Sequence, residues 1–257
     1  MITRLQCENL SISINQKLLV NKLNLDIQSG SYIFILGNNG VGKTLTLHTL
    51  AGLLKDFSGE IVVCQEKIND IPKKELSRRI GLLLQIQTDA FPMTVMDSVL
   101  MGRYPYQSIW KWPNQIEKEI AHSALDYFGI RNLEHRIITS LSGGERERVA
   151  LSTLMVQDPN IWLLDEPTNH LDPRHQLEVL KILDKQSENG RIIITTGHNP
   201  ALAMQFAKQV LLLFGNGEWE YGSADELLEP NRLERLYQMP FEYYINEIDK
   251  QKVLLPS

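Results

Sequence analysis

The sequence predicts an α/β protein: a mostly parallel sheet with helices on both faces and a helical lobe inserted into it. Three observations carry this reading. From residue 161 onward, strand-like and helix-like stretches alternate, which is the order expected of parallel strands joined by helical crossovers. Near the start, a continuous apolar run at 32–36 (YIFIL) passes through a glycine-rich loop directly into a helical pattern. Between these regions, over residues 88–157, the apolar positions are spaced for helices instead of strands.

Taken in order, residues 10–14 (LSISI) and 23–27 (LNLDI) alternate as half-buried strands, and Gln28-Ser29-Gly30-Ser31 supplies a turn before the run 32–36. Gly37 opens the glycine-rich loop, and residues 44–54 carry the helical pattern. In the middle, Leu100, Met101, Ile116, Ile120, Leu125 and Phe128 mark helices broken by Pro105, Pro113 and Gly129. Strand 161–164 (IWLL), helix 174–187, strand 191–195 (RIIIT), helix 200–207 and strand 210–214 follow, and a helical stretch at 223–238 closes the pattern.

Composition bounds the function. With 257 residues, the chain has room for one large domain with an inserted lobe, and 43% hydrophobic residues are enough for a sizeable core. A formal charge of −5 argues against a whole-molecule field that attracts nucleic acid. Cys7 and Cys64 lie far apart in apolar stretches without metal-ligand spacing, so they are expected to be buried, reduced thiols. The first residues, Met1 to Arg4, lack the apolar core of a signal peptide, and no apolar run approaches the ~18 residues of a membrane span. If the protein works at a membrane, another chain is expected to supply the span.

Three motifs carry chemistry. Gly37-Asn38-Asn39-Gly40-Val41-Gly42-Lys43-Thr44 fits GxxxxGK[ST] and sits between a strand and a helix, the context that motif requires. Its backbone amides can turn around phosphate oxygens, Lys43 can reach the β- and γ-phosphates, and the Thr44 hydroxyl can coordinate Mg²⁺. The apolar strand 161–164 ends in Asp165 and Glu166, at the strand end where open parallel sheets bind ligands. Asp165 is expected to hold Mg²⁺ and Glu166 to orient the attacking water. Leu141-Ser142-Gly143-Gly144-Glu145 leads into a helical run at 145–157, a second set of amides at a helix N-terminus. Two phosphate-cradling loops about a hundred residues apart suggest that one ATP is gripped by loops from two subunits.

With these motifs in place, the chain resembles the ATP-binding-cassette (ABC) ATPases along essentially its whole length. LSGGE (141–145) is similar to the family's signature motif. Gln85 matches its Q-loop glutamine, Leu171-Asp172 its D-loop, and His198, after the strand IIITT, its switch histidine. The stretches 94–106 (TVMDSVLMGRYPY) and 169–180 (NHLDPRHQLEVL) look most like ATPase subunits of importers for iron siderophores, haem and cobalamin.

The resemblance implies a P-loop NTPase (RecA-like) core with a mostly parallel sheet, an N-terminal antiparallel β subdomain and an inserted α-helical subdomain. Residues 1–257 then form a single ABC ATPase domain in which about 88–157 is the helical insertion carrying the signature. It implies a head-to-tail homodimer that sandwiches ATP and Mg²⁺. Lys43, Glu166 and His198 would be catalytic, and Thr44, Gln85 and Asp165 would hold the metal. Residues 37–44, Thr46, Gln85, Ser142, Gly143, Gly144 and Asp172 would bind nucleotide. The implied partners are integral membrane permease subunits and, through them, an external substrate-binding protein, with no nucleic acid. The implied place is the cytoplasmic face of the membrane. A soluble ABC ATPase such as one of iron–sulfur cluster assembly stays open as the alternative, and neither the direction of transport nor the solute is written in these motifs.

The chain departs from the family pattern at three positions. Ile14 stands where an aromatic residue commonly stacks on adenine, which predicts weak base selectivity with GTP accepted. Glu145 stands where glutamine is frequent, and Asn199 where aspartate is. The aromatic cluster Tyr104, Tyr106, Trp110 and Trp112 reads either as a permease-facing surface or as local packing around Pro105 and Pro113. Lys73, Lys74, Arg78 and Arg79 read as a solvated helix face with a Glu75–Arg79 pair. His170 and His175 read as exposed or packed side chains without metal-ligand geometry.

Overall fold

The computed structural model of the chain describes residues 3–84, 92–107, 113–169, 171–245 and 252–257. Gln85, Trp110, Trp112 and His170 therefore lie outside the described residues. The chain divides into two compact units, Met1–Asp70 with Leu180–Ser257, and Ile71–Val179.

The first unit opens with β1 (Arg4–Ile14) and β2 (Lys17–Gln28), an antiparallel pair. Asn15 and Gln16 join them with φ of 48° and 66°, the double left-handed turn whose twist matches a tight hairpin. Both strands are longer than the expected 10–14 and 23–27. Register shifts between Cys7 and Leu10, and again up to Ser13, break the simple in-out alternation that marks a strand in sequence. The next strand, β3 (Tyr32–Leu36), is buried at all five residues, as befits an inner parallel strand, and the loop after it runs into α1 (Lys43–Leu50). This helix ends sooner than the expected 54: the chain turns through Gly52, which has φ of 67°. Next come β4 (Phe57–Val63), antiparallel to β1, and the short β5 (Glu66–Lys67), completing a four-stranded sheet in the order β2-β1-β4-β5.

The second unit contains α2 (Lys73–Arg79), β6 (Ile80–Leu83), α3 (Val95–Met101), α4 (Gln115–Tyr127), α5 (Gly143–Gln157) and β7 (Ile161–Leu164). Strands β6 and β7 pair in parallel, and α5 packs against α3 and α4. Capping boxes begin α4, at Asn114 with Glu117, and α5, at Ser142 with Glu145; an N-cap is worth about 1 kcal/mol. The basic run on α2 is more than a solvated face. The Lys74 ammonium donates to the Gln107 carbonyl at 2.6 Å and Arg78 Nε to the Pro105 carbonyl at 3.0 Å, while the expected Glu75–Arg79 pair forms at 3.3 Å.

From α6 (Pro173–Glu188) the chain returns to the first unit. There β8 (Ile192–Gly197) and β9 (Gln209–Gly215) flank β3 in parallel, with α7 (Pro200–Phe206) between them in sequence. Strand β10 (Glu218–Ser223) adds to β9 in antiparallel. The expected closing helix is two pieces, α8 (Ala224–Leu227) and α9 (Pro230–Tyr237), because Glu229-Pro230 interrupts it. A hairpin of β11 (Phe241–Ile245) and β12 (Lys252–Pro256), absent from the sequence reading, follows. Cys7 and Cys64 are both buried and free, and burial pushes the Cys7 thiol up to about 12. Among the described residues, no helix is long and apolar enough to cross a membrane.

Candidate functional site

In the first unit, β3 delivers the chain into the glycine-rich loop, and two of its glycines are sterically required. A Cβ on Gly37 would lie 2.6 Å from the Leu213 carbonyl oxygen, and one on Gly42, where φ is 111°, would lie 3.0 Å from Leu19. Neither Gly40 nor Asn39 is covered. The Lys43 side chain is buried and turned back over the loop, donating to the Gly37 carbonyl at 2.8 Å and the Asn38 carbonyl at 3.1 Å. Its ammonium also lies 3.4 Å from His198 Nδ1. An ammonium can only donate, so Nδ1 accepts in that contact and the ring proton sits on Nε2. The end of β8 thus brings His198 to Lys43, although 155 residues separate them in sequence.

Thr44 stands exposed on the first turn of α1. Thr46 is fully buried, and its hydroxyl donates to the Gly42 carbonyl at 2.9 Å. The side-chain amide of Asn38 donates to the Leu236 carbonyl at 2.9 Å, tying the loop to the last turn of α9. Val41 packs near Gly37 and Gly215. Ile14, at the tip of the β1–β2 hairpin, is 45% exposed and so presents a bare aliphatic surface.

In the second unit, the four residues of β7 are buried, and the strand delivers Asp165, itself 3% exposed, with its amide donating to the Leu83 carbonyl at 2.8 Å. Glu166 follows with φ of 50°, a left-handed conformation that costs a non-glycine residue about 1 kcal/mol or more. Such strain persists only where surrounding structure enforces it, and the Glu166 carboxylate accepts from the Asn169 side-chain amide. Thr44 and Asp165 offer hard oxygen donors, the type Mg²⁺ takes alongside phosphate oxygens and water. Among the described residues, no group of three or more His, Cys, Asp or Glu is placed to hold a metal ion.

The same unit holds the signature. The Ser142 hydroxyl accepts from the Glu145 amide at 3.3 Å, while the Glu145 carboxylate takes the Ser142 amide at 2.7 Å and hydroxyl at 2.8 Å. Those bonds from Ser142 hold the Glu145 carboxyl below its usual range. A Cβ on Gly143 would meet nothing within 4 Å, and one on Gly144 only Leu171 at 3.7 Å. Glycine in a helical turn costs up to about 1 kcal/mol relative to alanine, and no described residue requires it at these two positions. A cavity of ≈ 380 Å³ opens beside them, lined by Ser142, Gly144, Glu145, Arg148, Leu171, Asp172 and His175. Sequence reasoning passed over His175 as an ordinary exposed or packed side chain, yet its ring meets the Asp172 carboxylate at 2.5 Å.

A nucleotide-type phosphate loop and a signature-type glycine turn, both carried on an α/β fold, define an ATP-binding cassette. The family model described as "ABC transporter" matches residues 20–169, and the chain belongs to that family; it is an ATPase. Among its relatives, the petrobactin import ATP-binding protein FpuD of Bacillus anthracis is 31% identical over 91% of this chain and 86% of its own length. The ferric enterobactin transport ATP-binding protein FepC of Escherichia coli is also 31% identical, over 92% of this chain and 88% of its own. A solved structure described as a metal-chelate type ABC transporter in an inward-facing conformation superposes with a TM-score of 0.88, at 28% identity, over 99% of this chain and 98% of that one.

Proposed function

We propose that the chain is the ATP-hydrolysing subunit of an importer for metal chelates of the siderophore type. In this reading it works as a head-to-tail homodimer on permease subunits at the cytoplasmic face of the membrane. Its likeness to import ATP-binding proteins over nine-tenths of its length supports transport over the iron–sulfur-assembly alternative. The observation that carries the dimer is the bare glycine pair, Gly143 and Gly144. No described residue needs them bare, whereas a phosphate approaching from a second copy would.

The amides of residues 37–44 bind the phosphates of ATP, and Lys43, already at the mouth of the loop, moves from its own carbonyls to the β- and γ-phosphates. Thr44 and Asp165 hold Mg²⁺, which neutralises charge on the phosphate oxygens when bound; Gln85 joins them by its resemblance to the Q-loop glutamine. Glu166 orients the attacking water and accepts its proton, and His198 donates its Nε2 proton toward the γ-phosphate. Ser142, Gly143 and Gly144 of one copy close on the nucleotide of the other, and Asp172 lines that contact. Closure brings the copies together, hydrolysis releases them, and the permease converts this cycle into transport.

Tyr104 is 66% exposed and Met101 57% exposed, and this apolar pair fits a permease contact. Behind them, Tyr106 is held between Arg103, 4.0 Å from its ring centre, and Arg78, at 5.2 Å, so the turn that bears Tyr104 is stiff.

The test is Glu166→Gln. The purified variant is expected to bind ATP, hydrolyse it more than about a hundredfold more slowly, and accumulate a dimer on ATP addition. Turnover close to that of the unmodified protein would remove Glu166 from the mechanism.

A further inference from the structure

The D-loop carboxylate lies beside a cavity that, in the proposed dimer, must admit a phosphate. Asp172 and Glu145 both line that cavity, so an entering anion meets two carboxylates and the guanidinium of Arg148. Arg148 is itself engaged by Glu178 at 3.3 Å, and Glu178 also takes Arg174 at 3.1 Å. Glu145 is committed to Ser142. The remaining carboxylate that lines the cavity is Asp172.

His175 bonds both of its oxygens, and the Arg174 backbone amide adds a further bond. The His175 backbone amide donates to Asp172 Oδ1 at 3.1 Å, and the His175 ring places Nδ1 2.5 Å from Oδ2. A carboxylate only accepts, so Nδ1 carries the proton and donates. The bond to the ring, with the backbone bond next, holds the Asp172 carboxyl below its usual range, so it stays ionised and directed at His175. The neighbouring side chain completes the clasp: the Gln176 amide donates to the Thr168 carbonyl at 3.2 Å and the Leu171 carbonyl at 3.1 Å. The start of α6 therefore grips the loop twice, once by its backbone and once by its charge.

We infer that His175 is a positioning residue of the ATP site: its ring occupies one oxygen of the Asp172 carboxylate at the cavity wall, so that the signature face of one copy can close on the nucleotide phosphate of the other. The inference rests on the head-to-tail reading given above. Without the ring, Asp172 keeps the backbone amides of His175 and Arg174 but loses the side-chain donor on Oδ2, whose charge then meets the incoming anion without it.

The experiment is ATP-driven dimerisation of the full chain in the Glu166→Gln background, followed by light scattering as MgATP is titrated. Adding His175→Ala is expected to raise the ATP concentration at half-dimerisation about tenfold, the scale of one charge-assisted hydrogen bond partly screened by solvent. Adding His175→Asn, whose side-chain amide can take the place of Nδ1–H, is expected to restore the midpoint. Binding of a fluorescent ATP analogue to dilute monomer is expected to stay unchanged in all three proteins, which a general loss of folding would not allow.

If Glu166→Gln dimerises and His175→Ala leaves the midpoint in place, the role of His175 is overturned while the dimer stands. A shift that His175→Asn does not reverse also overturns it, because the carboxylate contact is then not the cause. Absence of a dimer in Glu166→Gln alone overturns the head-to-tail reading itself.

Discussion

Glu147 lies two residues beyond the signature on α5, is 6% exposed, and has one carboxylate oxygen without a hydrogen-bond partner among the described residues. Burial pushes its carboxyl from 4.5 up to about 8. The folded protein therefore binds this proton more tightly than the unfolded chain does. Its stabilising contribution is complete below the unfolded value near 4.5 and declines as pH rises toward about 8. At pH 7 the difference spans about 2.5 pH units, which at 1.36 kcal/mol each is roughly 3 kcal/mol and an upper figure. Glu147→Gln cannot ionise and should escape the decline. For a chain of this size, 3 kcal/mol corresponds to a gain of roughly 6–12 °C in Tm. Thermal denaturation of both proteins by scanning calorimetry at pH 5, 6, 7 and 8 reads this directly. The gain in Tm should be small at pH 5 and grow steadily to pH 8. A difference that is the same at every pH would refute the reasoning, since it would mean that Glu147 titrates as a solvated carboxylate.

Three further outcomes follow from the sites. Lys43→Ala should weaken ATP binding itself by at least about tenfold, measured by calorimetric titration, in contrast to Glu166→Gln, which keeps binding and loses turnover. With the bare Ile14 in place of an aromatic platform, ATP and GTP should be hydrolysed with kcat/KM values within about tenfold of each other. Ile14→Tyr should tighten ATP binding, because a stacked base gains roughly 1–3 kcal/mol, and an unmoved affinity would place the base elsewhere. Tyr106→Ala should lower Tm by removing the ring between Arg78 and Arg103 and the hydroxyl bond to the Gln157 carbonyl at 3.0 Å. Tyr106→Phe should lose only the hydroxyl bond, about 1 kcal/mol.

The legible parts of the chain were those governed by local backbone requirements. The glycine loop could be read because its turn needs glycine at fixed spacing and its flanks are a buried strand and a helix. The parallel strands β3, β7 and β8 could be read because burial on both faces makes them continuous apolar runs. The full length of β1 and β2 could not, because bulges shift the inward face partway along. The hairpin β11–β12 escaped because four of the five residues of β11 are exposed and carry no alternation.

Contacts that depend on distant carbonyls were beyond the sequence. Lys74 and Arg78 read as a solvated face, and only the fold reveals that they hold the turn at 104–107. The His175–Asp172 pair left a faint trace, a histidine three residues after an aspartate at a helix start, which is the spacing at which a side chain reaches back to its N-cap. Glu147 left none, since a charged residue on a helix is ordinarily assigned to the solvent side.

The central claim is that this ATPase drives a membrane permease, and one measurement addresses it most directly. A tagged chain is purified from detergent-solubilised membranes of cells that express it at native levels, and the co-purifying proteins are identified and quantified by mass spectrometry. The account predicts a multi-span permease recovered at about one copy per ATPase subunit. Recovery of soluble partners alone, with no permease, would contradict the transport assignment and leave only the ATPase chemistry standing.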